Sequence, residues 1–209
     1  MTRPGRFIAL EGGEGAGKST QSRLLAEALR ARGIDAVVTR EPGGTPGAEA
    51  IRSLLLDPAG EGFGPRAEAL LFAAARADHV DRLIRPALAA GQWVICDRFI
   101  DSSRAYQGGA GGLDDAEIMD LHRIGSQGFL PDLTLLITVT PEEAAERLGR
   151  RDVGGADRIG GRPAEYHANV AAAFDRFAAE QPRRFARIDG NGTPEQTHHQ
   201  IMDALEDLL

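Results

Sequence analysis

Gly12-Gly13-Glu14-Gly15-Ala16-Gly17-Lys18-Ser19 is the stretch on which the reading of this chain turns. It satisfies G-x-x-x-x-G-K-[ST], and it stands between an apolar run, Phe7–Leu10, and an amphipathic segment from about Ser19 to Arg32. Strand, glycine loop and helix in that order are the setting in which the motif cradles phosphate. The glycines allow successive backbone N–H groups to converge on phosphate oxygens, and the helix N-terminus adds its partial positive charge. Gly12, Gly13, Glu14, Gly15, Ala16, Gly17, Lys18, Ser19 and Thr20 are therefore the expected ATP-binding run. Lys18 is placed to reach the β- and γ-phosphates and Ser19 to ligate Mg²⁺.

Outward from the loop, short apolar strands alternate with helical segments. Ala36–Thr39, Trp93–Asp97, Leu133–Val139 and Phe185–Asp189 read as further strands, the middle two rich in residues suited to burial on both faces. Helices are expected over Thr45–Leu56, Pro65 to about Ala90 with Pro86 bending or interrupting it, Pro141–Arg150, Pro163–Glu180, and from Thr193 onward. The expectation is an α/β fold: a five-stranded parallel sheet of the P-loop NTPase type, covered by helices on both faces, forming one domain over residues 1–209. Ligands should gather at the carboxyl ends of the strands.

Composition narrows the class further. Of 209 residues, 42% are apolar and 26% charged, which is ordinary for a soluble globular chain. No apolar run approaches the roughly 20 residues a membrane span needs, so no membrane association is expected. The net charge of −7 argues against a nucleic-acid partner, although clustered arginines can still focus phosphate binding. One cysteine, Cys96, excludes an internal disulfide, and the N-terminus lacks a signal-peptide core, so a cytoplasmic location is expected. The histidines, including His198-His199, lack metal spacing. No N-K-x-D segment reads a guanine base, and Val94-Ile95-Cys96-Asp97 ends in a single acid followed by Arg98. Small-molecule kinases remain. Asp97, ending a strand beside Ser19, is the second candidate for the Mg²⁺ shell.

Arg40 and Arg98 each follow a strand end, so both should face one crevice, where two guanidinium groups suit an acceptor phosphate. Read alone, either is equally a surface ion pair. Phe72 and Arg76, four apart on one helical face, pair a ring with a cation, though Phe72 by itself suits the core beside Leu70 and Leu71. Tyr106 and Gln107 precede a glycine-rich turn, Gly108–Gly112, and Gln107 offers both a donor and an acceptor. Ser102 and Ser103 lie nearby.

Along essentially its whole length the sequence resembles the bacterial thymidylate kinases. The segments carrying the likeness are Glu11-Gly12…Ser19-Thr20, Arg40-Glu41-Pro42-Gly43-Gly44-Thr45, Leu71-Phe72-Ala73-Ala74-Ala75-Arg76, Asp97-Arg98-Phe99 and Ala105-Tyr106-Gln107-Gly108. The resemblance implies phosphoryl transfer from ATP to dTMP, with Mg²⁺, no covalent intermediate and a homodimeric enzyme; Ala67–Ala77 is compatible with helix packing between copies. It implies dTMP contacts from Glu14, Arg40, Pro42, Phe72, Arg76, Arg98, Ser102, Ser103, Tyr106 and Gln107. In it Glu14 bonds the 3′-hydroxyl and Tyr106 leaves no room for a 2′-hydroxyl. A kinase for another nucleotide or deoxynucleoside, or a non-catalytic nucleotide-binding module, are the alternatives.

Residues 13–16 carry no basic side chain, so transition-state charge must come from elsewhere. Arg150-Arg151-Asp152-Val153-Gly154-Gly155-Ala156-Asp157-Arg158 has glycine hinges and arginines, the composition of a mobile lid over about 149–162. Lys18, Arg98, Arg150, Arg151 and Arg158 are the expected catalytic cations. The segment departs from the family after Arg158, reading Ile159-Gly160-Gly161. Arg147 resembles the arginine that stacks on adenine, and the loop Asp189–Pro194 is expected to line the other side of that pocket.

Overall fold

The computed structural model describes residues 4–151 and 157–209. Five strands, β1 (Phe7–Glu11), β2 (Ala36–Arg40), β3 (Trp93–Asp97), β4 (Leu133–Thr138) and β5 (Phe185–Asp189), form one parallel sheet in the order β2-β3-β1-β4-β5. β1 lies in the middle and every one of its residues is buried, which is why it reads as an unbroken apolar run ending in an acid. The register sets Leu10 beside Asp97 and Asp97 beside Arg40, so the strand ends that matter chemically are level with one another.

The alternation of side chains sorts the sheet into two faces. Ile8, Leu10, Ile95, Leu135, Ile137 and Ile188 pack against Leu25 and Leu29 of α1 (Lys18–Ala31) and Ile201 of α9 (Pro194–Ala204). Phe7, Ala9, Val94 and Cys96 pack on the opposite face against α3 (Pro65–His79) and α6 (Asp115–Ser126). Farther along that face, Leu136 and Phe185 meet Val170, Phe174 and Phe177 of α8 (Ala164–Glu180). Each fully buried leucine or phenylalanine contributes about 1.5–3 kcal/mol. α2 (Pro46–Leu56) packs on α3 and starts at Thr45, whose hydroxyl accepts from the Ala48 N–H, with Pro46 in the first turn.

Two local features refine the sequence expectation. The interruption expected at Pro86 takes the form of a π turn just ahead of it. α3 passes through this turn, Val80–Ile84, into α4 (Arg85–Ala89), and the Arg85 N–H reaches back to the Val80 carbonyl. The wider turn accommodates a proline that lacks a donor. The segment expected to lead into a glycine turn is also helical: α5 (Ile100–Ser103) continues as a π turn, Arg104–Gly109, that buries Tyr106 and Gln107. The remaining helix, α7 (Pro141–Arg151), follows β4. The cavity described next opens at the carboxyl end of the sheet.

Candidate functional site

β1 delivers the chain into the glycine loop at Gly12, whose φ of 138° no L side chain adopts readily, and where a Cβ would lie 2.2 Å from the Ile137 carbonyl oxygen. Gly17, at φ 90°, caps α1 without any side-chain hydrogen bond, and the first turn carries no acid. The amides at that end are therefore left for a ligand, with the helix dipole favouring an anion. Lys18 curls back to donate to the carbonyls of Gly12 at 3.0 Å and Gly13 at 2.7 Å. Burial, then the nearby Arg98 charge, depresses its ammonium to about 8. Ser19 donates through Oγ to Asp97 Oδ2 at 2.6 Å, joining the helix start to the end of β3.

A cavity of about 820 Å³ opens over this loop. Its wall takes in Glu14 to Thr20, Arg40, Pro42, Phe72, Arg76, Asp97, Arg98, Ser102, Ser103, Tyr106, Gln107 and Arg147. Residues from the ends of strands and from several helical segments thus converge on one space, as the sheet topology dictates.

Arg98 is fixed from every side. Its backbone is left-handed at φ 71°, a conformation costing a bulky residue about 1 kcal/mol or more, and its N–H donates to the Leu10 carbonyl at 2.9 Å. The guanidinium donates to Glu14 Oε1 at 2.7 Å, to the Gly12 carbonyl at 3.1 Å and to Ser102 Oγ at 3.1 Å, and stands 4.9 Å above the Tyr106 ring. Arg98 in turn holds the Glu14 carboxyl at about 2, against the opposing effect of burial. Behind this turn lies Glu11, wholly buried, accepting from the Phe99 N–H, the Ser102 N–H and the Ser102 hydroxyl. Burial, then the Asp101 charge, raises its carboxyl to about 7.

Arg76 is similarly held. Nε donates to Glu41 at 2.7 Å and Nη2 to Ser103 Oγ at 2.7 Å, while Glu41 also meets His79 Nδ1 at 3.0 Å. The Glu41–Pro42 peptide, which turns the chain beneath this group, is cis. Phe72 is 9% exposed, so it serves the core and the cavity wall at once. Gln107 donates through Nε2 to Glu68 at 2.9 Å.

The expected fork of Arg40 and Arg98 is only half assembled. Both line the cavity, but Arg40 is the looser of the two and pairs with Glu49 at 3.2 Å. Arg52 is an addition to the expected set. It donates to the Pro42 carbonyl at 2.7 Å and lines the same wall, where burial and then Arg40 lower its pKa. Its signal is legible in the sequence, since Ala48, Arg52 and Leu55 share the inward stripe of α2, where a cation is out of place unless it has work to do.

On the far side, Arg147 donates to Glu143 at 2.7 Å and to the Gly190 carbonyl at 2.7 Å, tying α7 to the loop after β5. Arg150 pairs with Glu146 on its own helix, and Arg158 donates to the Leu55 carbonyl at 2.8 Å and lies over the Phe63 ring. Neither lines the cavity in this structure. The Arg151 side chain and residues 152–156 of the expected lid lie outside the described residues. Among the described residues no cluster of three or more His, Cys, Asp or Glu side chains could hold a metal. Cys96 is wholly buried, as core, and burial pushes its thiol up.

The thymidylate kinase family model matches residues 10–201. A curated thymidylate kinase of Rhizorhabdus wittichii is 57% identical over 206 residues, covering 99% of both chains. One from Bradyrhizobium diazoefficiens is 46% identical over 206 residues, covering 98% of this chain and 90% of its own. A crystal structure of thymidylate kinase from Ehrlichia chaffeensis superposes with a TM-score of 0.78 at 33% identity, covering 97% of this chain and all of the other.

Proposed function

This chain belongs to the thymidylate kinase family, and we propose that it transfers the γ-phosphoryl group of ATP to dTMP, giving ADP and dTDP. One observation carries the reading: a single cavity joins a phosphate-binding loop, with Lys18 and Ser19, to a pre-paired acceptor wall of Phe72, Arg76, Arg98, Tyr106 and Gln107.

Phosphoryl transfer asks for alignment and for positive charge around a loose transition state, and little covalent chemistry. Lys18 exchanges its two loop carbonyls for the β- and γ-phosphate oxygens, whose charge further favours its ammonium form. Arg98, with Arg40 and Arg52 at the rim, receives the dTMP phosphate and sets it in line with the donor. That phosphate is already ionised near neutral pH, so no general base is needed. Glu14, kept a carboxylate by Arg98, accepts from the 3′-hydroxyl, and Tyr106 packs under the deoxyribose. Arg76 and Gln107 face the base edge, with Phe72 as its stacking surface, and Pro42, Ser102 and Ser103 complete the wall.

A hydroxyl and a carboxylate 2.6 Å apart, Ser19 and Asp97, are hard oxygen donors that suit Mg²⁺ completed by water and phosphate. Ser19 and Asp97 would hold the ion, and its charge would offset the negative charge of the donor phosphates. Arg147 and the loop after β5 take the adenine. The arginines of residues 150–158 close over the donor phosphates. We place the enzyme in the cytoplasm, consistent with its lone, buried cysteine. We also read it as a homodimer; Leu70 on α3 and Ile124 on α6 are 55% and 71% exposed, apolar surface suited to a second copy.

The test is ADP release with Mg²⁺ across dTMP, dUMP, dCMP, AMP and thymidine. dTMP should be strongly preferred, and a preference for thymidine or AMP would defeat the reading.

A further inference from the structure

Glu68 lies outside the cavity, behind its wall, yet it is 3% exposed and makes two directed contacts. Oε1 accepts from Gln107 Nε2 at 2.9 Å, and Oε2 accepts from Arg162 Nη2 at 2.5 Å. Arg162 also bonds Tyr166, whose hydroxyl donates to the Tyr106 carbonyl at 2.6 Å. A closed ring of polar contacts therefore runs from α3 through the start of α8 to the π turn and back.

The chemistry of that ring decides which way the Gln107 amide faces. A carboxylate bound to an arginine accepts hydrogen bonds and donates none. The amide must therefore turn its NH₂ toward Glu68, which leaves Oε1, with no partner among the described residues, on the side of the cavity that Gln107 lines. Arg76 is complementary. Its Nε and Nη2 are committed to Glu41, Ser103 and the Phe99 carbonyl, so Nη1 is the donor left for a ligand. The wall thus presents one fixed acceptor and one fixed donor. That pair matches a 4-oxo pyrimidine with a protonated N3. Against a 4-amino pyrimidine both contacts invert, acceptor facing lone pair and cation facing an amino group.

We propose that Glu68 is a positioning residue for base specificity, locking Gln107 acceptor-side inward so that the site takes 4-oxo and rejects 4-amino pyrimidine monophosphates. The proposal rests on dTMP being the acceptor and names what enforces that choice. Arg162 holds Glu68 in turn, which ties the base wall to the segment that follows residues 152–156.

The test compares kcat/KM for dTMP and dCMP in wild type, Glu68→Gln and Glu68→Ser, with circular dichroism to confirm folding. The glutamine of the first variant can donate or accept, and the serine of the second removes the carboxylate, so in both variants Gln107 is free to turn over. The dTMP:dCMP ratio should fall by about tenfold or more, with dCMP turnover rising in absolute terms. A merely structural role would lower both substrates together and leave the ratio unchanged, which overturns the proposal. Wild type that accepts dCMP as readily as dTMP overturns the acceptor reading itself, and this inference with it.

Discussion

On the acceptor wall the cations arrive already held. Arg76 is 3% exposed and paired with Glu41, and Arg98 is 16% exposed and braced by Glu14, Gly12, Ser102 and the Tyr106 ring. Near the end of α7 Arg150 is held by a neighbour on its own helix: it is 76% exposed and bonded to Glu146 one turn back. Such an exposed pair is worth about 0.3–0.5 kcal/mol, little enough that a phosphate replaces it readily. The difference suits the two halves of the reaction. The acceptor must be read in one geometry, which calls for groups fixed before it binds. Charge on the transferring group and its leaving oxygen is redistributed only in the transition state, so the cations that meet that shift need not be in place beforehand.

Lys18 sits where the two regions meet, and its removal should have the largest effect. Lys18→Ala should reduce kcat by about 10³-fold or more while circular dichroism stays native. Turnover near the wild-type rate in a folded variant would remove the phosphate loop from the mechanism. Arg98→Ala probes the fixed wall. It should weaken dTMP by about 2–5 kcal/mol and ATP far less, because the loss includes leaving Glu14 without its partner. Equal losses for the two nucleotides in a calorimetric titration would show that the cavity is not divided as drawn.

The arginines proposed for the donor side should give the converse signature. Changing Arg150, Arg151 and Arg158 singly to Ala should lower kcat by roughly 10²-fold in at least one case. Ground-state dTMP affinity should hold constant in all three. A loss of affinity that parallels the loss of rate would mean these arginines belong to the fixed wall, and the contrast would collapse.

What sequence can show follows the same division. The glycine loop is legible because its spacing, a preceding strand and a following helix are all local. The sheet is legible because strands buried on both faces are apolar throughout. α6 escapes the sequence reading although Asp114 and Glu117 form a capping box, because the glycines of residues 108–112 just ahead of it read as a loop. Arg104–Gly109 does not read as helical because a π turn has no sequence period of its own. The brace of Glu11 on the Arg98 turn joins residues 91 positions apart in sequence, and no spacing rule reaches that far. Glu68 stays silent for the same reason: its partners lie 39 and 94 positions away.

The smallest expected effect concerns the fixed wall's foundation. His122 on α6 is 1% exposed and stands edge-on to Phe99, the residue that follows Arg98, at 5.8 Å. Nε2 bonds the Phe129 carbonyl at 2.8 Å, which requires the proton there, and Nδ1 is buried with no partner among the described residues. A second proton would bury a donor without an acceptor, so burial, then the Arg76 charge, depresses the imidazole to about 4. The sign follows directly. The unfolded chain takes up a proton as pH falls through about 6.5, whereas the folded chain refuses it until about 4. Stability from this group is therefore complete above pH 6.5 and is lost between 6.5 and 4. By pH 5 the loss should reach about 1–2 kcal/mol. His122→Gln keeps a donor for the Phe129 carbonyl but cannot titrate. Urea unfolding at pH 7 and pH 5 should show a smaller acid penalty in the variant than in wild type, by about that amount. An identical penalty in both would mean that acid weakens the acceptor wall through some other group, and that His122 is not the sensitive point beneath Arg98.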